Sequence, residues 1–314
     1  MKVFVAGATG AIGRPLVVEL VRRGHEVTGM TRTAHKQDLL REWGARPVVA
    51  DALDGDAVAR AVAEADPDVI VHQLTAIGAF NPRRMERDFA ATNRLRTEGT
   101  DNLLVAGRAV GIKRFVAQSF APWPYARTGG TVKSEDDPLD PSPPAQVRTT
   151  SDAIKYLERA VTSADWTDGI ALRYGGFYGP GTSISLDPVG AQVEMIRKRQ
   201  LPLAGKGTGV WSFVHVADAA GATVEAVEHG TRGIYNIVDD EPAPVSEWLP
   251  ALAAAVGAKP PRHLPLWLVR LAAGETAAVM MSELRGSSNT KAKRELGWQL
   301  RYPSWREGFA TGLR

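Results

Sequence analysis

The amino terminus reads Lys2-Val3-Phe4-Val5-Ala6-Gly7-Ala8-Thr9-Gly10-Ala11-Ile12-Gly13. Val3 to Ala6 is a short apolar run, the mark of a strand covered on both faces in a parallel sheet. Three glycines follow at a spacing of three. Ile12, Leu16, Val17, Leu20 and Val21 then form one stripe of a helix that Gly24 can end, with Pro15 in its first turn. A glycine turn between strand and helix lets the backbone approach a pyrophosphate, whose charge meets the free N–H groups of the helix start. The reading is a dinucleotide site built on Gly7, Thr9, Gly10, Ala11, Ile12 and Gly13.

The composition bounds the partners. The chain has 314 residues, 44% of them hydrophobic, enough for a sizeable core. Net charge is +3, and the basic and acidic residues are interspersed, so nucleic acid is not an expected partner. No cysteine is present, which removes disulfides and thiolate catalysis. The six histidines are scattered without zinc-like spacing, and no metal is expected. No run approaches a membrane span and the start lacks a signal-peptide core, so the expectation is a soluble cytoplasmic protein.

Further along, strand and helix patterns recur. Strands are expected at 25–30, 47–50, 68–72, 113–118 and 169–173, with helices at 54–65, 83–107 and 150–162 between them. This βαβ spacing predicts a doubly wound α/β fold with a parallel sheet. A carboxylate near the end of the second strand would hold an NAD ribose. The chain carries Arg32 there, with His35 and Lys36 behind it, which suits the 2′-phosphate of NADP rather than NAD. Asp51 and Ala52 follow strand three and Leu74-Thr75-Ala76 follows strand four, where adenine and ribose would lie. Residues 120–148 form a long loop rich in Pro and Gly, a natural carrier of substrate contacts. After Arg173 come a loop from Gly175 to Gly181, a helix over 189–199, an extended piece over 210–216, a helix from Asp218 to His229 and a strand at 235–238. Helical pieces at 245–256, 265–273 and 291–296 finish the chain. The domain reading is 1–174, receiving about 211–240, for the nucleotide and 175–314 for a smaller substrate-binding part.

These residues together resemble the extended short-chain dehydrogenase/reductase family, the NAD(P)-dependent epimerase/dehydratase group. The glycine turn matches its phosphate turn. Asn93 with Gly99-Thr100 and Asn102-Leu103-Leu104 looks like its Asn-…-Gly-Thr-…-Asn-Leu-Leu helix. Arg114-Phe115-Val116 with Ser119, Leu172-Arg173 with Tyr178-Gly179-Pro180-Gly181, and Phe213-Val214-His215 with Asp218 are similar to further family segments. The resemblance implies a Rossmann-like sheet, an NADP cofactor contacted also by Asn93, Ser119, Tyr174 and Gly175, and a small-molecule substrate. It also allows a monomer or a homodimer through the helices beside strands four and five.

The family's Tyr-x-x-x-Lys pair is not in place. Glu158 fits the acidic slot that follows it, and counting back gives Ile154 for the Lys and Thr150 for the Tyr. Lys155 lies about 100° around the helix from that position. None of the six tyrosines has Lys four residues on. Ser119, Tyr174, Tyr125 and Tyr178 are the candidates to supply a proton instead. Sugar-nucleotide members carry Arg two residues before Phe213, where this chain has Trp211, able to stack but not to neutralise a diphosphate. Trp123, Tyr125, Phe177 and Met195 are expected near the cleft. The leading expectation is an NADPH-dependent oxidoreductase of a small, mostly apolar carbonyl or enone compound. The alternatives are an epimerase or isomerase, or a non-catalytic NADP-binding regulator.

Overall fold

The computed structural model describes residues 1–314 apart from 79–83 and 123–124, so the Trp123 expectation lies outside the described residues. Seven strands form one sheet: β1 Lys2–Ala6, β2 Glu26–Thr31, β3 Arg46–Val49, β4 Val69–His72, β5 Arg114–Phe120, β6 Asp168–Tyr174 and β7 Gly233–Ile237. Their order is β3-β2-β1-β4-β5-β6-β7, with every neighbouring pair parallel. The order reverses between β1 and β4, and in such sheets a crevice opens beyond the carboxyl ends of the strands at that reversal.

Strand alternation sorts the buried residues into two layers. Val3, Val5, Val69, Val71, Ile170 and Leu172 face a core with helices α1 (Gly13–Arg22), α2 (Gln37–Glu42) and α8 (Val216–His229). Phe4, Ile70, Phe115 and Ala117 face the other core, with α3 (Gly55–Ala65), α5 (Thr100–Val110) and α6 (Arg148–Thr162). The helix expected over 83–107 is more complex: α4 (Met85–Arg94) runs into a π turn, Leu95–Gly99, before α5. A third core gathers Tyr178, Phe213, Trp248, Trp305 and Phe309 from the carboxyl-terminal segments. There Gly176–Tyr178 pairs parallel with Phe213–His215. Helices Glu275–Ser282 and Trp305–Thr311 were not expected, and the helix placed at 189–199 is the shorter α7, Ala191–Arg197. Among the described residues no helix is long and apolar enough to cross a membrane.

His72 locks the end of β4 to the π turn. Its Nδ1 accepts from the Leu74 N–H (3.2 Å), while Nε2 lies 3.3 Å from the Leu95 carbonyl and 3.1 Å from Thr100 Oγ1. A second ring proton would face the Leu74 N–H, and the ring is wholly buried. Burial therefore pushes its pKa down to about 4. The native ring stays neutral while the unfolded chain takes up a proton below pH 6.5, so stability falls with falling pH between 6.5 and 4. Between pH 6.5 and 5 the loss from this residue should be about 2 kcal/mol. Urea unfolding at the two pH values should show a smaller difference in His72→Asn than in the unmodified protein.

Candidate cofactor and substrate site

The turn after β1 has the shape the sequence requires. Gly7 takes φ +88°, and an added Cβ would stand 2.8 Å from the Gln73 backbone. The Gly10 N–H donates to the Gly7 carbonyl at 3.1 Å. At Gly13, the first residue of α1, a Cβ would drive into the Ala8 carbonyl, so glycine there is what lets helix and strand meet. The amino end of α1 has neither a capping side chain nor an acidic residue in its first turn. That leaves backbone donors and the positive end of the helix for an anion.

A cavity of about 220 Å³ lies on one side of this turn, and its lining includes Gly7, Thr9, Gly10, Arg32, Asp51, Ala52, Leu74, Thr75 and Ala76. Lys36 is in the wall behind Arg32, and Met30, Thr31, Thr33, Gln73 and Leu95, which sequence reasoning missed, complete it. Arg32 is exposed and forms no ion pair among the described residues. Asp51 Oδ1 accepts from the Leu53 N–H at 3.0 Å, capping its own turn while its residue faces the cavity. These residues fit the adenosine half of a dinucleotide, and the turn fits its pyrophosphate.

A second cavity of about 430 Å³ continues past Gly10, Ala11 and Ile12, sharing Gly10, Gln73 and Thr75 with the first. Most of its wall is apolar: Ile77, Phe89, Phe120, Phe177, Ile184, Trp211, Phe213 and Met280. Trp211 donates its Nε1–H to the Met280 carbonyl at 2.9 Å and stacks on Phe213 at 6.1 Å. The polar groups on the wall include Gln73, Thr75, Arg96, Gln118, Thr182, Ser183 and Gln192. Phe177 is in the wall as expected, but Tyr125 and Met195 are not.

The four candidate proton donors require correction, because each hydroxyl is turned away from this cavity. On β5, Gln118 and Phe120 face the cleft, so alternation sends Ser119 to the opposite face. There its hydroxyl donates to Glu158 Oε1 at 2.6 Å, and Arg173 donates Nε and Nη2 to the two Glu158 oxygens, both at 2.7 Å. Tyr174 packs with the α1/α8 core; its hydroxyl lies 3.0 Å from Gln73 Nε2 and 2.6 Å from Thr223 Oγ1, and burial drives its pKa far up. The Tyr125 hydroxyl donates to Asn236 Oδ1 and accepts from Arg173 Nη1, each at 2.8 Å, and burial raises it to about 12. Tyr178 is enclosed by His215, Phe309 and Gly308 in the carboxyl-terminal core. A fully engaged or enclosed phenol cannot pass a proton to a ligand in the cleft.

Ser119 and Tyr174 are thereby also outside the cofactor's reach, and three further cofactor expectations shift in the same way. Asn93 is buried with Nδ2 on Thr150 Oγ1 (3.1 Å), outside both cavities. Gly175 passes its N–H to the Ile237 carbonyl (3.1 Å) and makes room for Ser212 and Phe213, while Gly13 acts through packing. The charged residue that reaches the cleft from this helical stretch is Arg96, beside Phe89 in the wall. A charged residue on the buried stripe shared with Phe89, Asn93, Thr100 and Leu103 was the available signal. The metal-capable convergence among the described residues, Glu225, Glu228 and His229, lies elsewhere; Arg23 and His25 hold its carboxylates.

A pyrophosphate turn at the reversal of a parallel sheet, opening onto a mostly apolar cleft, defines an NAD(P)-dependent enzyme of the oxidoreductase or epimerase kind. The chain belongs to the NAD dependent epimerase/dehydratase family, whose sequence model matches residues 3–238. It is 46% identical to a Streptomyces protein named 3-diazoavenalumate denitrifying reductase, covering 98% of this chain and 99% of that one. It is 29% identical to the 2-alkyl-3-oxoalkanoate reductase of Stenotrophomonas maltophilia, over 82% of this chain and 76% of the relative. Among solved structures, the UDP-glucose 4-epimerase of Thermotoga maritima, determined with UDP-glucose, superposes with a TM-score of 0.78 at 22% identity. The match covers 100% of this chain and 97% of that one, a likeness of fold.

Proposed function

We propose that the protein is an NADPH-dependent reductase of a small, largely apolar aromatic compound held in the cleft between Trp211, Phe120 and Phe177. The observation that carries this reading is the cleft itself: an apolar, aromatic-walled cavity of about 430 Å³ abutting the phosphate turn, with none of the candidate hydroxyls aimed into it. Gly7, Gly10 and the amino end of α1 would hold the pyrophosphate, and Arg32 with Lys36 the 2′-phosphate. When bound, the cofactor supplies hydride; the chain's own residues orient the acceptor and exclude water from it.

Reducing a carbonyl leaves an alkoxide that needs a proton donor. An arenediazonium group needs none: hydride bonds to the ring carbon, the C–N bond breaks and its electron pair leaves with N2. Charge and atoms then balance as ArN2⁺ plus hydride giving ArH and N2. The missing phenol–ammonium pair therefore favours a diazo acceptor over a carbonyl, in agreement with the name of the 46%-identical reductase. An epimerase reading is weaker, because taking hydride from a sugar hydroxyl calls for a base, and returning it to the ketone calls for the conjugate acid, neither of which Thr150 or Ile154 can provide.

The test is a screen for NADPH consumption. Arenediazonium compounds should oxidise NADPH faster with protein than without, and aryl carbonyl compounds of the same size should lag behind them, since no phenol–ammonium pair protonates an alkoxide. UDP- and dTDP-sugars should neither turn over nor bind in the micromolar range, since Trp211 offers no cation for a diphosphate. Epimerisation of a sugar nucleotide would overturn the proposal.

A further inference from the structure

We infer that Arg96 is the substrate's anchor: a guanidinium in the cleft wall that receives the carboxylate of an aromatic acid. The inference rests on reading the cleft as the substrate site of a reductase. Arg96 is 4% exposed and lines the cavity, and its Nη1 is buried without a hydrogen-bond partner. It forms no ion pair among the described residues. The carboxylate whose charge acts on it is Glu158, yet both Glu158 oxygens are already taken by Arg173 and Ser119. A buried cation with an unfilled donor is strongly unfavourable unless something compensates it.

The placement points to a ligand. Three residues earlier, Asn93 touches Thr150 of α6, and Arg96 feels Glu158 two turns further along the same helix. Arg96 therefore stands over the stretch of α6 that carries Thr150 and Ile154. The wall around it is aromatic, with Phe89 and Phe120 among its neighbours in the lining. A flat ring ending in a carboxylate satisfies both features: the ring meets the aromatic wall and the carboxylate takes the planar fork of the guanidinium. Such a charge-assisted pair, made by a guanidinium that is itself buried, separates an acid from its ester by a large factor.

The probes are cinnamate and methyl cinnamate, titrated calorimetrically into protein saturated with NADP⁺, in the unmodified chain, R96K and R96Q. Cinnamate should bind at least tenfold more tightly than the ester to the unmodified protein. The preference should shrink in R96K and vanish in R96Q, while NADP⁺ affinity stays within twofold. R96Q should melt no lower than the unmodified protein, because it removes an unpaired buried charge. Equal binding of acid and ester, no binding of either, or an acid preference that survives R96Q would overturn the assignment. A parallel loss of NADP⁺ affinity in R96Q would also overturn it, making Arg96 a cofactor contact. The titration needs no turnover, so the reductase reading stands or falls separately, by NADPH oxidation.

Discussion

Replacing Glu158 with alanine is expected to destabilise the protein by about 3–5 kcal/mol, the range found when one partner of a buried ion pair is removed. Arg173 is 2% exposed, with Nε and Nη2 on Glu158 and Nη1 on the Tyr125 hydroxyl. Without the carboxylate its charge is left in the core between β5, β6 and α6, and Ser119 loses its acceptor as well. The double replacement Glu158→Leu with Arg173→Leu should recover most of the loss, because an apolar pair of similar volume carries no charge to desolvate. Urea unfolding of the two single variants and the double variant measures this. A loss under about 1 kcal/mol in Glu158→Ala would show that the network is not a structural anchor. NADP⁺ affinity of the folded Glu158→Ala protein should change little, since none of Glu158, Arg173 and Ser119 lines a cavity of the site.

The second large effect concerns cofactor choice. Arg32 follows β2 at the rim of the adenosine cavity, exposed and without an ion-pair partner among the described residues, with Lys36 in the same wall. The unmodified protein should bind NADPH more tightly than NADH. Arg32→Ala should weaken NADPH by about 1.5–3 kcal/mol, roughly ten- to a hundredfold, and leave NADH nearly unchanged. Calorimetric titration with both cofactors reads the gap directly. Equal affinities in the unmodified protein would remove the basis for NADP selection.

The phosphate turn was legible in the sequence because its chemistry is backbone chemistry. Gly7 needs a positive φ and Gly13 needs the absence of a side chain, and only glycine meets either demand. Arg32, Asp51 and the Leu74–Ala76 stretch were legible for a related reason, since strand ends in a doubly wound sheet fall at predictable places. The proton donors were not legible. β5 is buried on both faces, so its composition gives no alternation to tell which side of Ser119 meets the cleft. Tyr174 and Tyr178 are placed by long-range packing, one against α8 and the other against Gly308 and Phe309. Arg96 continues the plain helical stripe of Phe89, Asn93, Thr100 and Leu103, and such a count does not tell which buried member of the stripe meets the cleft. The resemblance drew attention to Asn93, while the cleft is lined three residues further on.

The proposed reaction is direct hydride transfer from NADPH to a substrate in the aromatic cleft. Its most direct test uses NADPH deuterated at either face of C4, an arenediazonium carboxylate as acceptor, and mass spectrometry of the product. One deuterium is expected in the arene from one of the two labelled cofactors, with one N2 released and one NADP⁺ formed per product, and no loss of label to water. Product free of deuterium from both labelled cofactors, or cofactor that ends each cycle unoxidised while the substrate is isomerised, would contradict it.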